Sequence, residues 1–399
     1  MSAIEVKPGI YWIGVNDRTT DLFEGLWPIT REGVSYNAYL INDERKVLID
    51  LAKDIKLNDF LDQISQVMDP AALDYIIVNH MEPDHTGVLR TVRRIAPNAT
   101  ILGTAKALQM LEAYYQITDN VRAVEDGETL SLGEHTLQFV ATPFVHWPET
   151  MMTYETSQRV LFSCDGFGGY GALQGAIFDD QYADLSFYEA EALRYYVNIV
   201  ALYPRPVLKA LDKLRDVPVD VVAPSHGLIW RGCPERIIEL YARWAEYATG
   251  PGDPSVTLLF GTMYGNTEAV VQAVAEGVAR AGVRVEVFDV RHVHPSYVLP
   301  SLYLNRGVLV GAPTYEGKLF PPMVDMLHAA EHKRIFNRKA AYFGSYGWSG
   351  GARRGFSQLA EALRWDVTET WEFLGGPTSA LLQEGEAFGY KFAQALREA

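Results

Sequence analysis

The stretch Val78-Asn79-His80-Met81-Glu82-Pro83-Asp84-His85-Thr86-Gly87 follows directly on the apolar run Tyr75-Ile76-Ile77-Val78. It brings two histidines and two carboxylates within six residues, at the end of a predicted buried strand. These four side chains are all of types that bind metal ions. Pro83 and Gly87 favour a turn that folds the backbone around an ion over a continuing helix. The stretch therefore predicts half of a metal site.

Length and composition limit the class of protein. The chain has 399 residues, which is enough for two or three domains, each with its own core. Hydrophobic residues make up 48% and charged residues 21%, a balance typical of a globular protein. The net charge of −15 argues against nonspecific binding to nucleic acid or to a membrane, because both attract basic surfaces.

The start of the chain and its cysteines narrow the class further. Met-Ser-Ala-Ile-Glu-Val-Lys-Pro lacks the apolar core of a signal peptide, and no run approaches the roughly 20 apolar residues that span a bilayer. We therefore expect a cytoplasmic protein. Cys164 and Cys233 form no C-x-x-C pair, which excludes a rubredoxin-type iron centre, a zinc ribbon or a disulfide scaffold within this chain. Any metal must be held by histidine and carboxylate.

The first half of the chain has many short strands and few helices between them, a pattern typical of two sheets flanked by helices. Asn42-Asp43-Glu44 is predicted to form a hairpin turn. Helices are predicted at 57–67, 86–95, 183–202, 207–215 and 235–248. Strands are predicted at 9–15, 36–41, 46–51, 75–79, 100–102, 121–124, 136–141, 152–155, 160–163 and 219–223.

The run Thr249-Gly250-Pro251-Gly252-Asp253-Pro254 is the predicted linker, and it divides the chain into domains at 1–249 and 254–399. Beyond it strands and helices alternate, which is typical of a doubly wound parallel sheet. The predicted strands are 256–260, 283–290, 307–311 and 340–345, and the predicted helices are 268–281, 323–330 and 355–363.

Three further ligand candidates stand at the ends of predicted strands. They are His146, Asp165 and His226, each between an apolar run and a turn that contains glycine or proline. Two neighbouring ions need about six protein ligands and, preferably, one carboxylate shared between them. The three residues complete such a set when they are added to the four of the first cluster.

The order of these seven residues resembles that in the metallo-β-lactamase fold, whose usual motif is H-x-H-x-D-H. Here Glu82 stands in the place of the second histidine of that motif. A carboxylate in place of imidazole makes the site richer in oxygen, which favours iron or manganese over zinc. The same pattern is found in the flavodiiron proteins, the A-type flavoproteins that reduce oxygen or nitric oxide, and the chain resembles their short, two-domain class.

The resemblance implies a ligand for every position of a diiron centre. One iron would take His80, Glu82 and His146, the other would take Asp84, His85 and His226, and Asp165 would bridge them. It also implies an αββα sandwich for residues 1–249 and a flavodoxin-like, doubly wound parallel sheet for residues 254–399.

The loop Gly261-Thr262-Met263-Tyr264-Gly265-Asn266-Thr267-Glu268 follows a predicted strand and opens a predicted helix. It has hydroxyls, an amide and glycines but no lysine, so it differs from a Walker A loop. A neutral loop of this kind at a helix N-terminus suits a single phosphate monoester. It resembles the flavodoxin loop that holds the phosphate of FMN.

Two more loops, Gly311-Ala312-Pro313-Thr314-Tyr315-Glu316-Gly317 and Ser345-Tyr346-Gly347-Trp348-Ser349-Gly350-Gly351, follow strands at the edge where open α/β sheets bind ligands. Both resemble FMN loops, with Trp348 as a stacking or edge contact of the flavin. The implied FMN contacts are Thr262, Met263, Tyr264, Gly265, Asn266, Thr267, Pro313, Thr314, Tyr315, Gly317, Ser345, Tyr346, Gly347, Trp348 and Gly350.

The resemblance also implies a reaction. FMN takes electrons from an external donor and passes them to two irons, which reduce dioxygen to water, or two nitric oxides to nitrous oxide and water. Rubredoxin is the commonest donor in the short class, and a deazaflavin coenzyme is the alternative. A head-to-tail homodimer, or a dimer of dimers, is implied as well.

Two residues are implied in the substrate pocket, Glu24 and Tyr195. Several relatives have histidine where Glu24 stands, so the preference between oxygen and nitric oxide stays open. On the predicted flavin loops, Lys318, Arg353 and Arg354 are candidates for a basic dock for an acidic donor. The alternative is that they are ordinary surface charges.

Two other classes of protein share parts of this pattern. A binuclear zinc hydrolase of the metallo-β-lactamase fold would use a metal-bound hydroxide, and Glu82 and the flavin loops oppose it. A flavin carrier whose first half has lost its metal is opposed by the seven intact ligand positions. His328 and His332 are predicted on a solvated helix face, and His135, His292 and His294 are predicted to be structural.

Overall fold

The computed structural model describes residues 2–248, 250 and 252–398. The chain divides into two compact units, residues 1–245 and residues 246–399. Thr249 and Pro251 of the predicted linker lie outside the described residues. The domain limits 1–249 and 254–399 stay a prediction. None of the described helices is long and apolar enough to cross a membrane.

The first unit contains most of the strands. Its strands are β1 Ile4–Lys7, β2 Ile10–Trp12, β3 Val15–Asp17, β4 Leu22–Phe23, β5 Trp27–Pro28, β6 Val34–Tyr36, β7 Tyr39–Asn42, β8 Lys46–Ile49, β9 Tyr75–Ile77, β10 Thr100–Gly103, β11 Val121–Ala123, β12 Thr129–Ser131, β13 Thr136–Ala141, β14 Met151–Glu155, β15 Val160–Cys164 and β16 Val221–Pro224. Its helices are α1 Leu57–Val67, α2 Pro83–Thr86, α3 Leu89–Ile95, α4 Ala105–Tyr115, α5 Ser186–Tyr195, α6 Pro204–Leu214 and α7 Pro234–Glu246.

Two sheets form the centre of this unit, as the strand pattern predicted. Among the described residues the first sheet has seven strands in the order β1-β2-β7-β8-β9-β10-β11, and the second has five in the order β12-β13-β14-β15-β16. The rings of Tyr39 on β7 and Phe162 on β15 lie 5.0 Å apart, so the sheets pack face to face. The predicted hairpin turn between β7 and β8 is confirmed, with Asn42 opposite Lys46.

The parallel pairs decide where the polar residues meet. Strand β8 pairs in parallel with β9, and β15 pairs in parallel with β16. The carboxyl ends of two parallel strands lie at the same edge of a sheet. The chain therefore delivers the His80 stretch, Asp165 and His226 to neighbouring sheet edges, immediately beyond β9, β15 and β16.

Three helices of the first unit differ from the prediction. Helix α4, Ala105–Tyr115, was not predicted. The predicted helix 86–95 is two helices, because a single α-helical turn, α2, already begins at Pro83 and a break follows at Gly87 and Val88. Pro83 starts this single turn, because proline is tolerated at the first helical position, and the turn ends at Thr86 without continuing as a longer helix. The predicted helix 183–202 begins at Ser186 and changes to a π-helix over Tyr196–Val200.

The second unit has a five-stranded parallel sheet covered by helices and a short antiparallel pair, β20 with β21. Its strands are β17 Asp253–Phe260, β18 Val285–Asp289, β19 Asn305–Gly311, β20 Thr314–Tyr315, β21 Lys318–Leu319, β22 Lys339–Tyr346 and β23 Asp366–Leu374. Its helices are α8 Asn266–Arg280, α9 Pro295–Leu304, α10 Pro321–His332, α11 Ala352–Ala362 and α12 Ser379–Arg397. The sheet order, β18-β17-β19-β22-β23, is the doubly wound order of flavodoxin-like folds, as predicted.

Helix α12 closes this unit by packing on α8 through glycines. A Cβ added at Gly389 would overlap the carbonyl of Val274, and one added at Gly277 would overlap the carbonyl of Glu386. The two backbones therefore touch, which side chains at either position would prevent. The apolar residues of α12, including Phe388 and Phe392, join the core with Val270 of α8.

Candidate metal centre and flavin pocket

The structure brings all seven predicted ligands together at the sheet edges of the first unit. His80, Glu82, His146 and Asp165 each offer a ligand atom, and these atoms lie within 4.8 Å of one another. A second group, Asp84, His85 and His226, meets the same limit. The side chains of His80, His85, Asp165 and His226 are at most 1% exposed.

Asp165 lies between the two groups. Its Oδ2 atom is 3.3 Å from Nε2 of His80 and 3.1 Å from Nε2 of His146. Its Oδ1 atom is 3.1 Å from Nε2 of His85 and 3.3 Å from Nε2 of His226. Each oxygen of one carboxylate thus faces one group, which is the arrangement of a ligand that bridges two ions.

The spacing of these atoms fits metal ligands. Two atoms that bind one ion at about 2.1 Å and at right angles are about 3.0 Å apart. Glu82 Oε2 is 3.2 Å from Nε2 of both His80 and His146, and Asp84 Oδ2 is 3.3 Å from Nε2 of His226. Such distances recur on both sides of Asp165.

Many of these atoms have no other use in the fold. Among the described residues, both oxygens of Asp84 and Asp165 and the Nε2 atoms of His85, His146 and His226 are buried without a hydrogen-bond partner. A buried polar atom without a partner is costly, so a group of them that faces one space needs an explanation. Two bound cations would explain it.

The electrostatics of the site agree with cation binding. Burial lowers the pKa of His146, but the carboxylates of Asp165 and Glu82 outweigh burial and raise it to about 9. Asp165 and Asp84 raise the pKa of His226 to about 10 against the same effect of burial. The carboxylates thus attract positive charge to this space, which protons or metal ions can supply.

The loops that carry the ligands are held in uncommon backbone conformations. Cys164, directly before Asp165, has φ 53°, and Phe144, two residues before His146, has φ 66°. Non-glycine residues adopt positive φ only where surrounding contacts enforce it, and such residues cluster at functional sites. Here they turn the chain at the strand ends and direct the ligand side chains to one point.

A cavity of about 230 Å³ reaches the centre from the side of the carboxylates. Glu82 and Asp84 are 12% exposed, whereas the ligand histidines behind them are almost fully buried. The cavity is lined by Leu22, Phe23, Glu24, Gly25, Tyr36, Lys53, Glu82, Pro83 and Asp84. It is large enough for a diatomic molecule.

Glu24, a candidate for the substrate pocket, lines this cavity. It has φ 51° in the turn between β4 and β5, and its Oε2 accepts a hydrogen bond from Nε1 of Trp27 at 3.1 Å. Burial and the charge of Glu82 raise the pKa of Glu24 to about 7. The short β4–β5 hairpin that carries it was absent from the prediction.

Tyr195 is buried beside the centre. Its ring lies 5.5 Å from that of His226, and its hydroxyl has no hydrogen-bond partner among the described residues. Burial, then the charge of Asp165, raises the pKa of Tyr195 well above its usual range, so the hydroxyl keeps its proton. Tyr196 instead packs on Tyr241 at 5.0 Å and on Trp244 at 5.4 Å, which makes it a core residue.

Sequence reasoning missed several residues that contact the ligands, among them Tyr36, whose ring lies 5.7 Å from that of His226. Phe23, which precedes Glu24 in the segment implied to line the substrate pocket, packs its ring 5.4 Å from the same histidine. Trp147 packs 5.0 Å from His80, and Glu149 accepts a hydrogen bond from Nδ1 of the same histidine at 2.7 Å. Trp147 directly follows His146 and Glu149 lies three residues after it, so their proximity to His146 in the chain was the one available signal.

The predicted FMN loops of the second unit line a cavity of about 400 Å³. Its lining includes ten predicted contacts and two residues that were not predicted, Glu316 and Gly375. The ten are Met263, Tyr264, Asn266, Pro313, Thr314, Tyr315, Ser345, Tyr346, Gly347 and Trp348. Tyr264 and Trp348 are 90% and 89% exposed there, so a planar ring system has aromatic faces to cover.

The remaining predicted FMN residues shape the loops. Oγ1 of Thr262 accepts the N–H of Gly265 at 3.0 Å, and the hydroxyls of Thr267 and Ser345 are 3.0 Å apart. Gly265 has φ 89° at the start of α8, so the helix N-terminus opens onto the loop. Gly350 lies against the carboxylate of Glu372, and Gly317 lies against Gly351.

The other histidines have structural surroundings. His328 is exposed and lies 3.2 Å from Glu331. His294 caps α9 by accepting the N–H of Ser296, and His135 is buried against Asp43 at 2.8 Å. Within the described part of the chain, the candidate metal groups contain none of these histidines.

Comparisons with known proteins agree with both sites. The family model described as "ODP family beta lactamase" matches residues 34–227, and the flavodoxin model matches residues 258–370. A nitric oxide reductase of Moorella thermoacetica is 34% identical over 96% of this chain and 94% of its own length. An anaerobic nitric oxide reductase flavorubredoxin of Salmonella arizonae is 36% identical over 88% of this chain and 73% of its own length.

Solved structures extend the likeness to the whole chain. The rubredoxin oxygen:oxidoreductase of Desulfovibrio gigas has a TM-score of 0.92 and 28% identity, covering 100% of this chain and 99% of that one. The flavodiiron protein of Giardia intestinalis has the same TM-score and identity, covering 100% of this chain and 98% of that one.

The fold and the two sites define a two-domain oxidoreductase in which a β-lactamase-like unit precedes a flavodoxin-like unit. The chain belongs to the flavodiiron protein family. These relatives favour reduction of oxygen or nitric oxide over the zinc hydrolase that the β-lactamase fold alone left open.

Proposed function

We propose that this chain passes electrons from an external donor through FMN to a diiron centre, which reduces dioxygen to water, nitric oxide to nitrous oxide, or both. The observation that carries the proposal is the position of Asp165, whose two oxygens face two separate groups of buried ligand atoms. The presence of flavin loops in the same chain supports an electron supply.

We assign one iron to His80, Glu82 and His146 and the other to Asp84, His85 and His226, with Asp165 as the bridge. The partnerless buried atoms of these residues support the assignment. Three carboxylates among seven ligands, one of them shared, suit iron better than a hydrolytic zinc pair. The FMN is assigned to the loops 261–268, 311–317 and 345–351.

When bound, FMN and the iron pair supply the redox chemistry, and the residues around them supply access and protons. The cavity beside Glu82 and Asp84 admits the diatomic substrate from the carboxylate side. The ring of Tyr195 lies 5.5 Å from that of His226, and its hydroxyl keeps its proton, so it would supply a hydrogen-bond donor near the centre. Glu24 and Lys53 place titratable groups along the entrance.

The external donor is proposed to be rubredoxin, with a deazaflavin coenzyme as the alternative. Lys318 and Arg354 line a groove of about 670 Å³ whose apolar wall includes Leu319 and Leu359. Gly317 and Gly351 belong to the flavin loops and also line this groove. They touch each other, since a Cβ on Gly351 would overlap the Gly317 carbonyl. Asp325 lines the same groove, so the two cations leave it with a net positive charge in a chain of charge −15, which suits an acidic donor.

Arg353 contributes less to this dock than the other two cations. Its Nε lies 3.8 Å from Oε2 of Glu372, so part of its charge is balanced within the protein. Reversing Arg353 and Arg354 to Glu is expected to slow reduction by rubredoxin at low salt, and to slow it less at high salt. Arg284→Glu, at another exposed site of the same unit, is the control. Equal rates of reduction in the double variant and the control would show that these arginines do not bind the donor.

Cofactor analysis tests the central assignment. Purified protein is expected to contain about two irons and one FMN per chain, with the visible spectrum of an oxidised flavin. Two zincs without reactive flavin would support a hydrolase, and FMN without metal would support a simple electron carrier. A head-to-tail homodimer or dimer of dimers and a cytoplasmic location are proposed with this function, and sedimentation of the loaded protein tests the first.

A further inference from the structure

Two of the ligand histidines, His80 in one group and His226 in the other, differ in what supports them from behind. Nδ1 of His80 is 2.7 Å from Oε1 of Glu149, a carboxylate. Nδ1 of His226 is also 2.7 Å from an oxygen, but this is the main-chain carbonyl of Ser35. One ligand histidine therefore donates to a charged acceptor and the other donates to a neutral one.

Glu149 is held firmly in this position. It is 1% exposed, and its Oε1 also accepts the N–H of Met81 at 3.0 Å. Its main-chain carbonyl accepts a hydrogen bond from Oγ1 of Thr104 at 2.9 Å. Its second oxygen, Oε2, is buried and has no hydrogen-bond partner among the described residues. The carboxylate therefore acts on the centre through His80.

The hydrogen bonds fix the orientation of this pair. Oε1 of Glu149 accepts the N–H of Met81 and also the Nδ1–H of His80. The Nε2 atom of His80 is left to face Glu82 Oε2 at 3.2 Å and Asp165 Oδ2 at 3.3 Å, where the first iron is assigned.

We propose that Glu149 is a positioning residue that makes the two irons unequal, favouring the ferric state on the His80 side of the centre. An imidazole that donates to a carboxylate is a stronger electron donor to its metal than one that donates to a carbonyl. The negative charge of Glu149 adds to this effect in a buried site. The inference rests on the proposed diiron function.

A consequence follows for the order of reduction. The first electron is expected on the side of His226, where only the Ser35 carbonyl supports the ligand. The second electron then enters the side of His80 at a lower potential. In the half-reduced protein, the ferrous ion is therefore expected on the side of Asp84, His85 and His226.

The test is a redox titration of iron-loaded Glu149→Gln, followed by the electron paramagnetic resonance signal of the half-reduced centre. Gln keeps the size and the acceptor oxygen but removes the charge. The affinity for one iron is expected to fall about 10–100-fold. The midpoint potential of one of the two iron couples is expected to rise, by about 59 mV for each tenfold loss in preference for ferric over ferrous iron.

Thr104→Val is the matched control, because it removes the hydrogen bond to the Glu149 carbonyl and leaves the carboxylate in place. This variant is expected to lower the free energy of unfolding without changing the difference between the midpoint potentials of the two iron couples. Equal shifts of both couples in Glu149→Gln, or no shift, would overturn the inference. A wild-type protein without two irons would instead contradict the proposed function.

Glu149→Asp covers the case in which the Gln variant does not fold with iron. It keeps the charge but shortens its reach to His80. The midpoint potential of the same single couple is expected to rise by less than about 59 mV, the shift that corresponds to a tenfold change in the preference for ferric over ferrous iron. Two couples that stay at the wild-type values in this variant would also overturn the inference.

Discussion

At the scale of single residues, the centre depends on a few residues with positive φ, whose backbone conformation directs the ligand side chains that follow them. Asp165 is the residue that both groups share, and Cys164 before it has φ 53°. The Asp165 carboxylate is fully buried, and the surrounding histidines lower its pKa well below the usual range although burial alone would raise it. It is therefore charged, and two cations are its natural partners.

Asp165→Asn is expected to lose both irons. The variant removes the shared charge, whereas His226→Asn removes a ligand from one side only. The loss of iron affinity in Asp165→Asn should exceed roughly 10–100-fold. That is the loss caused by substituting a residue that only hydrogen-bonds to a metal ligand. Iron per chain after dialysis against a weak chelator measures it. Retention of both irons by Asp165→Asn would show that Asp165 is no bridge.

Tyr195→Phe is expected to keep iron and FMN but to turn over about 10²-fold more slowly, because it removes one hydrogen-bond donor beside the reacting atoms. Tyr196→Phe, one residue along the same helix, is the control, since the Tyr196 ring packs in the core. Anaerobic turnover with oxygen and with nitric oxide is the measurement. Equal rates in both variants would exclude a role for the Tyr195 hydroxyl.

At the scale of elements, the strand ends were predictable and some covering elements were not. The apolar run of β9 followed by the His80 stretch identified both a buried strand and its ligands. Helix α9 was missed because it contains Pro300, and α12 was missed because Gly385 and Gly389 lower its helical propensity. Strand β23 lies at the sheet edge and is mostly half-buried, so it lacks a strong apolar pattern.

The contacts within the site were harder to predict than its ligands. Glu149 and His80 are 69 residues apart in the chain, and the partner of His226 is a main-chain carbonyl 191 residues away. Any residue type can offer a carbonyl, so sequence pattern carries no signal for it. The metal ligands could be predicted from the sequence because only a few residue types bind metals, and residues of these types stood at the ends of predicted strands.

Gly389→Ala is expected to destabilise the second unit by about 1–3 kcal/mol, the usual range for overpacking. Its Cβ would overlap the Val274 carbonyl, which is backbone and cannot swing away. Gly385→Ala, on the same helix, would meet only side chains at 3.1–3.6 Å and is the control. Denaturant unfolding followed by flavin release compares the two. Equal stability would contradict close packing of α12 on α8.

At the scale of the whole molecule, each unit supplies what the other lacks. Among the described residues, the first unit holds two groups of metal ligands, and the second unit has flavin loops with exposed aromatic rings. An oxygen or nitric oxide reductase needs both an electron carrier and a centre that binds the substrate. Their presence in one chain is the physical reason for the proposed electron path.

Trp348→Ala is expected to weaken FMN binding by about 1 kcal/mol, in the range of one aromatic stacking contact, and to leave iron content unchanged. Trp348 is 89% exposed without a ligand, so its loss should not alter the fold. Fluorescence titration of the flavin-free protein with FMN measures the affinity. An affinity equal to that of the wild type would place Trp348 outside the flavin site.

The most direct test of the proposed electron path follows flavin reoxidation after anaerobically reduced protein is mixed with dioxygen or nitric oxide. Wild-type protein is expected to reoxidise its flavin rapidly with at least one of the two gases. Asp165→Asn protein that retains FMN should reoxidise its flavin slowly, at the rate expected of a flavoprotein without the iron pair. Equal reoxidation rates in the two proteins would contradict electron transfer from FMN to a diiron centre.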